Sequence, residues 1–123
     1  MKINEKYIPI ILGISAALII GVLGFLSLET SLGYWLIFSF GATTFSVLVF
    51  YKADMAQPKN VFFGHLVSII VGILFNEIFG MSFITLGLAV GFALALMVYF
   101  KVEHPPAAAN PLIALLSDVS FEF

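Results

Sequence analysis

The feature that most constrains this chain is a series of long apolar runs without a charged residue. Tyr7–Leu28 has 22 residues and Leu32–Tyr51 has 20, and Val61–Phe75 and Ile78–Phe100 follow after a polar segment. A helix rises about 1.5 Å per residue and a bilayer core is about 30 Å thick, so a run of about 20 residues can cross it. Because Leu112–Leu116 is too short to cross, we predict an all-α, polytopic membrane bundle with four transmembrane helices and a Pro-rich broken-helix segment near the C-terminus.

The amino-acid composition also indicates a membrane protein. Of the 123 residues, 62% are apolar and 10% are charged, and the mean hydropathy is +1.15. Soluble domains carry about a quarter charged residues, so we predict one integral membrane domain over residues 1–123 with the lipid bilayer as its surroundings. A net charge of −2 without arginine argues against a nucleic-acid partner, and the absence of cysteine excludes disulfides and thiolate metal sites.

The lysines predict an orientation. All five precede the first run, separate the second from the third, or follow the fourth: Lys2, Lys6, Lys52, Lys59 and Lys101. With four crossings these positions share one side, and the opposite loops hold Glu29 and Glu77 without a lysine. The positive-inside rule therefore predicts a multi-pass protein of the cell membrane with a cytoplasmic N-terminus.

Small residues recur every four positions on three predicted helices. They are Gly13, Ala17 and Gly21 on the first, Gly64, Ser68 and Gly72 on the third, and Gly87, Gly91 and Ala95 on the fourth. Such stripes let helix backbones approach closely in lipid. We therefore predict that these three stripes form helix contacts.

The Pro-rich segment His104–Pro111 contains three prolines and cannot form an uninterrupted helix. Irregular backbone near bilayer depth survives only where protein buries it or water solvates it. Two arrangements are open: a helix capped by Asn110 with Pro111 in its first turn, or a helix that begins at Pro105 and kinks at Pro111. Gln57-Pro58 similarly indicates a helix start, where polar groups can cap free N–H groups.

Three motifs resemble, in order and spacing, those of the HPP family of integral membrane proteins. They are Ser39-Phe40-Gly41-Ala42, then Ala56-Gln57-Pro58-Lys59-Asn60 with Gly64-His65, then His104-Pro105-Pro106-Ala107, and the resemblance covers roughly residues 32–116. In these motifs Gln57, Asn60, Pro105 and Pro106 are expected to be structural. The chain departs from the family pattern at Lys59, Phe63 and Ala108, where the family usually has Arg, Gly and Gly.

The resemblance implies a small, transporter-like helical fold, and plant-chloroplast and cyanobacterial relatives are linked to nitrite transport. Family members continue past the Pro-rich motif into another spanning helix. We therefore expect that this chain is truncated, forms a homo-oligomer, or relies on a partner that supplies the missing helix.

The sequence lacks the motifs of common enzyme active sites. It has no HExxH, P-loop or GxSxG with an acidic partner, and only two histidines, His65 and His104. We therefore expect no catalytic residues, no metal, no cofactor and no enzymatic activity.

The candidate site lies where polar residues interrupt the apolar runs. Gly41, Thr43 and Thr44 indicate either a helix contact or a helix break whose N–H groups face a solute. We predict that His65 and His104 add a proton-dependent charge, because imidazole titrates near neutral pH. For His65, a hydrogen bond to a neighbouring carbonyl is the alternative. We predict that the substrate-binding lining consists of Gly41, Thr43, Thr44, His65, His104 and Asn110, with Lys59 at the cytoplasmic mouth.

The leading functional hypothesis is a transporter or channel for a small anion, with nitrite as the candidate from the resemblance. Helix N-termini that face a central solute are a recurring transporter device and suit anions. The alternative is a non-transporting membrane scaffold or assembly subunit, in which the small-residue stripes only pack helices.

Overall fold

The computed structural model describes residues 3–31 and 38–118, and the regular structure within these ranges is helical. The chain forms two compact units, which we call the N-terminal unit (Met1–Tyr51) and the C-terminal unit (Lys52–Phe123). The α-helices are α1 Ile8–Leu28, α2 Phe40–Val49, α3 Pro58–Phe79, α4 Phe83–Tyr99 and α5 Asn110–Leu116. Three 3₁₀ helices cover Glu5–Tyr7, Asp54–Ala56 and Pro105–Ala109. The predicted all-α class is confirmed for the described residues.

Two of the described helices are long and apolar enough to cross a bilayer. They are α1 with its leading turn, 24 residues in all, and α3, which has 22. Helix α4 has 17 residues and α2 only 10, so α2 occupies just the second half of the predicted Leu32–Tyr51 span. The first part of that span, with Tyr34 and Trp35, lies outside the described residues. The count of four crossings stays a prediction.

In the N-terminal unit, α1 begins as its sequence predicts and packs beside α2. The Asn4 side chain accepts a hydrogen bond from the Lys6 N–H at 3.1 Å, and Pro9 lies in the first turn, where no N–H is needed. Within this unit a Cβ at Gly13 or Gly21 would meet no atom of the described residues within 4 Å, so the predicted stripe of α1 makes no contact with α2. Small residues permit close approach but do not themselves create it.

In the C-terminal unit, α3 and α4 form an antiparallel hairpin through a short connection at Gly80–Ser82, as predicted. Gly80 has φ +69°, a left-handed conformation that glycine adopts without strain. The Ser82 hydroxyl oxygen accepts the Thr85 N–H at 3.1 Å and caps α4. Helix α3 continues through Asn76 and Glu77 to Phe79, so Glu77, which was predicted to lie in a loop, belongs to the last turn of the helix.

The Pro-rich segment is continuous with α5. The 3₁₀ helix Pro105–Ala109 runs directly into Asn110–Leu116, so the helical path begins at Pro105. The alternative with Asn110 as N-cap is wrong, because Ala109 holds that position and the Asn110 side chain bonds to α3 instead. Prolines at the start of each helical piece cost little, since the first N–H groups lack intrahelical partners.

Small residues bring α3, α4 and α5 together, but only one of the predicted stripes is correct here. On α3, Gly64, Ser68 and Gly72 are buried as predicted. On α4 the predicted Gly87, Gly91 and Ala95 are exposed, and the buried positions are Thr85, Ala89, Ala93 and Met97. Both sets have a four-residue spacing and lie on opposite faces of one helix, so the spacing itself could not distinguish them.

Candidate functional site

Two glycines of α3 set the geometry of the candidate site. A Cβ at Gly64 would lie 2.8 Å from the His104 Cβ and 2.9 Å from the Val102 carbonyl oxygen. A Cβ at Gly72 would lie 2.7 Å from the Pro111 Cα. The α3 backbone therefore touches the Pro-rich segment directly, and the polar side chains between these glycines face it.

Asn110 links α5 to α3 through its side-chain amide. Its Nδ2 donates to the Ser68 hydroxyl at 2.9 Å and lies 2.8 Å from the His65 Nδ1. Asn110 and Ser68 are fully buried, whereas His65 is partly exposed. Because an amide NH₂ can only donate, His65 accepts at Nδ1, and the neutral ring carries its proton on Nε2.

His104 is held by a backbone carbonyl. Its Nδ1 donates to the Met55 carbonyl oxygen at 2.6 Å, and the residue is buried. A carbonyl only accepts, so neutral His104 carries its proton on Nδ1 and a lone pair on Nε2. Burial lowers the pKa of His104, and the Met55 hydrogen bond partly opposes this shift. The two imidazole rings are 5.1 Å apart between centroids.

We call His65, Ser68, His104 and Asn110 the histidine cluster. Within the described ranges, no buried side-chain nitrogen or oxygen lacks a hydrogen-bond partner. No three His, Cys, Asp or Glu side chains of the same residues come together as a metal site would require.

The structural residues of the predicted motifs surround this cluster. The buried Asn60 amide donates to the Glu103 carbonyl oxygen at 2.9 Å and thereby fixes the residue before His104. Pro106 is buried and Pro105 is exposed at the start of the 3₁₀ helix. Gln57 precedes α3 as predicted but does not cap it.

The Gln57 amide instead donates to the Ala53 carbonyl oxygen at 3.2 Å. Its side chain is one methylene longer than that of asparagine, a preferred capping residue, and bonds to the preceding turn.

A polar cleft of about 730 Å³ lies beside the segment that leads from α4 to His104. It is lined by Asp54, Gln57, Lys59, Asn60, Val98, Lys101 and Glu103. The predicted mouth residue Lys59 therefore shares this cleft with Lys101, at the end of the α3–α4 hairpin that lies beside His104. Two lysines and two carboxylates give the cleft a mixed charge.

The remaining predicted lining residues belong to the N-terminal unit. Residues 38–39 form a turn and α2 begins at Phe40, so a helix start lies where the Gly41–Thr44 pattern indicated one. Gly41 is exposed, Thr44 is buried, and the Thr43 hydroxyl donates to the Ser39 carbonyl oxygen at 3.1 Å. Their place in one lining with the histidines stays a prediction.

Sequence reasoning missed three contributors to the site. Ser68 was assigned to a packing stripe, although its position three residues after His65 places both on one helix face. Lys101 was used only for orientation. The Met55 carbonyl carries no sequence signal, because any residue offers a backbone oxygen.

Comparison with known proteins gives one family and one relative. The family description "HPP, transmembrane region" matches residues 3–123, beyond the 32–116 range of the motifs. A transmembrane protein of Dictyostelium discoideum is 32% identical over 87 residues, which are 68% of this chain and 28% of that protein. The match therefore covers less than a third of the relative's length. No solved structure matches the chain.

The family match covers nearly the entire sequence. Two residues of the resembling motifs hold the start of the Pro-rich segment: Asn60 of α3 donates to the Glu103 carbonyl oxygen, and His104 donates to the Met55 carbonyl oxygen. The chain belongs to the HPP family of integral membrane proteins.

Proposed function

We propose that this protein transports a small anion across the membrane, with nitrite as the first candidate. The observation that carries the proposal is the histidine cluster, which joins a helix long enough to cross a bilayer to a broken helix. Ionisable residues within membrane segments are costly and most often mark solute or proton pathways.

The chemistry of the cluster suits an anion. An anion in a low-dielectric site needs hydrogen-bond donors, and the neutral His65 ring carries one on Nε2. This histidine is partly exposed, so it offers the approach to the buried members of the cluster. Nitrite is small and presents two acceptor oxygens, which match an imidazole N–H donor.

The cleft provides a reason for anions to collect beside the cluster. Lys59 and Lys101 both line it, and clefts with basic side chains raise the local concentration of anions. The carboxylates of Asp54 and Glu103 line the same cleft and weaken the attraction of anions to the lysines. The expected attraction is therefore moderate and falls with ionic strength.

A non-transporting scaffold is the second candidate, and one observation favours it. Every described buried side-chain nitrogen or oxygen has a hydrogen-bond partner, which also fits a cluster whose task is to hold the broken segment against α3. In that case the protein would conduct no solute.

Anion flux into proteoliposomes distinguishes the two candidates. We expect purified protein to admit nitrite faster than protein-free liposomes, with nitrate, formate and chloride as comparison anions. The double variant Lys59→Gln, Lys101→Gln should reduce this flux several-fold, and Lys6→Gln, which lies outside the cleft, should not. If none of the four anions enters faster than into protein-free liposomes, the transport proposal is refuted and the scaffold is favoured.

A further inference from the structure

The two histidines of the cluster carry opposite tautomers. The Met55 carbonyl fixes a proton on Nδ1 of His104, and the Asn110 amide fixes a lone pair on Nδ1 of His65. The remaining nitrogens are therefore different: Nε2 of His65 is a donor, and Nε2 of His104 is an acceptor. The rings lie 5.1 Å apart, so a charge on one is felt by the other.

We propose that the cluster binds a single proton together with the anion, and that this proton resides on Nε2 of His104. The inference rests on the proposed function for its role in transport. One proton enters from water and gives His104 a charge of +1, which a monovalent anion balances. The pair then crosses without net charge, so the protein acts as a proton–anion symporter.

Hydrogen bonding selects His104 over His65. Protonation of His104 at Nε2 leaves the Nδ1–H bond to Met55 intact and makes it charge-assisted. Protonation of His65 at Nδ1 would point an N–H at the Asn110 NH₂, so two donors would face each other. If the amide turned, its oxygen could accept from that N–H only if the Ser68 hydroxyl gave up its bond to the His65 carbonyl oxygen, at 3.1 Å, in order to donate to the amide.

The groups around His104 also permit only one proton. His65 on α3 is the titratable side chain in ring contact, and it would repel a second positive charge. Asp54, Lys59, Lys101 and Glu103 face the adjoining cleft from the 3₁₀ helix, from α3 and from the segment after α4. Helix α5 contributes no titratable side chain within Asn110–Leu116.

The burial of His104 couples proton binding to anion binding. It lowers the pKa of His104 and so favours the neutral ring when no anion is bound. An anion beside the ring favours the imidazolium, and by linkage the proton then strengthens anion binding by the same factor. Proton and anion would therefore load together.

Nitrogen NMR of ¹⁵N-histidine-labelled protein tests the proton site without transport. The chain has two histidines, and with a tag that lacks histidine the two signal sets are assigned by ¹³C-carbonyl labelling of glycine, since Gly64 precedes His65. We expect His104 as the Nδ1–H tautomer at alkaline pH, with Nε2 taking a proton before His65 titrates on acidification. An Nε2–H tautomer for His104, or earlier titration of His65, would overturn the inference.

Matched variants test the coupling. His104→Asn retains an amide donor in reach of Met55 but cannot bind a proton, and His65→Asn retains an acceptor for Asn110. With a pH-sensitive dye in nitrite-loaded proteoliposomes, we expect one proton per anion in the unaltered protein and anion flux without protons in His104→Asn. His65→Asn removes the Nε2–H donor, so it should lower the flux but leave one proton for each anion that crosses. In the unaltered protein, anion flux without proton movement refutes this inference alone. Absence of any flux refutes the proposed function, and the NMR tautomers still decide the proton site.

Discussion

Gly72→Ala should destabilise the contact between α3 and α5, because the structure leaves no room for a side chain at this position. The added methyl carbon would lie 2.7 Å from the Pro111 Cα and 2.9 Å from the Ala114 Cβ. Attractive carbon–carbon contacts begin at about 3.5 Å, so α5 would have to retreat by about 0.8 Å. The obstacle is backbone rather than a flexible side chain, and the contact cannot relax by a rotamer change.

The expected cost follows from two opposing effects. Overpacking a close contact costs about 1–3 kcal/mol, while alanine stabilises a helix interior by about 0.5–1 kcal/mol relative to glycine. Gly91→Ala is the matched control, because its Cβ would meet no atom within 4 Å on a helix that is also apolar. The helix-propensity effect is common to both variants, so their difference in stability isolates the contact at about 1–3 kcal/mol.

The assay is reversible unfolding in mixed micelles, followed by loss of helical circular dichroism as the fraction of SDS rises. We expect Gly72→Ala to unfold at a lower SDS fraction than Gly91→Ala, and Gly91→Ala to equal or exceed the unaltered protein. Equal midpoints for the two variants would refute the close approach of α3 and α5.

The buried polar contacts and the lysines set three further expectations. Asn110→Leu removes the donor to the Ser68 hydroxyl and should lower the same unfolding free energy by about 1–3 kcal/mol; unaltered stability would contradict this. Because burial lowers the pKa of His104, the unfolded chain binds more protons, so stability should be full above about pH 6.5 and fall as the pH decreases. Unfolding at a series of pH values measures this, and an equally steep loss in His104→Asn would contradict it. Finally, an impermeant thiol reagent on intact cells should label Glu77→Cys but not Lys59→Cys; the opposite pattern would reverse the predicted orientation.

Features that depend on local chemistry could be predicted from the sequence. The start of α3 at Pro58, the Gly80–Ser82 connection and the boundaries of α1 follow from proline, glycine and charge positions. These signals act within a few residues of the chain, so no tertiary information is needed. The same holds for membrane class, because long charge-free runs have few other stable environments.

Which surfaces and atoms are in contact could not be predicted and depends on how the helices pack. Helix α4 carries small residues on two faces, and contact with neighbouring helices buries Ala89 and Ala93 rather than Gly87 and Gly91. Asn110 precedes a proline and was a candidate N-cap. The small residues of α3 allow α5 to approach closely, so the Asn110 amide bonds to Ser68 instead. The tautomer of His104 depends on a carbonyl 49 residues away. Such choices depend on partners distant in sequence, and no local pattern of residue types encodes them.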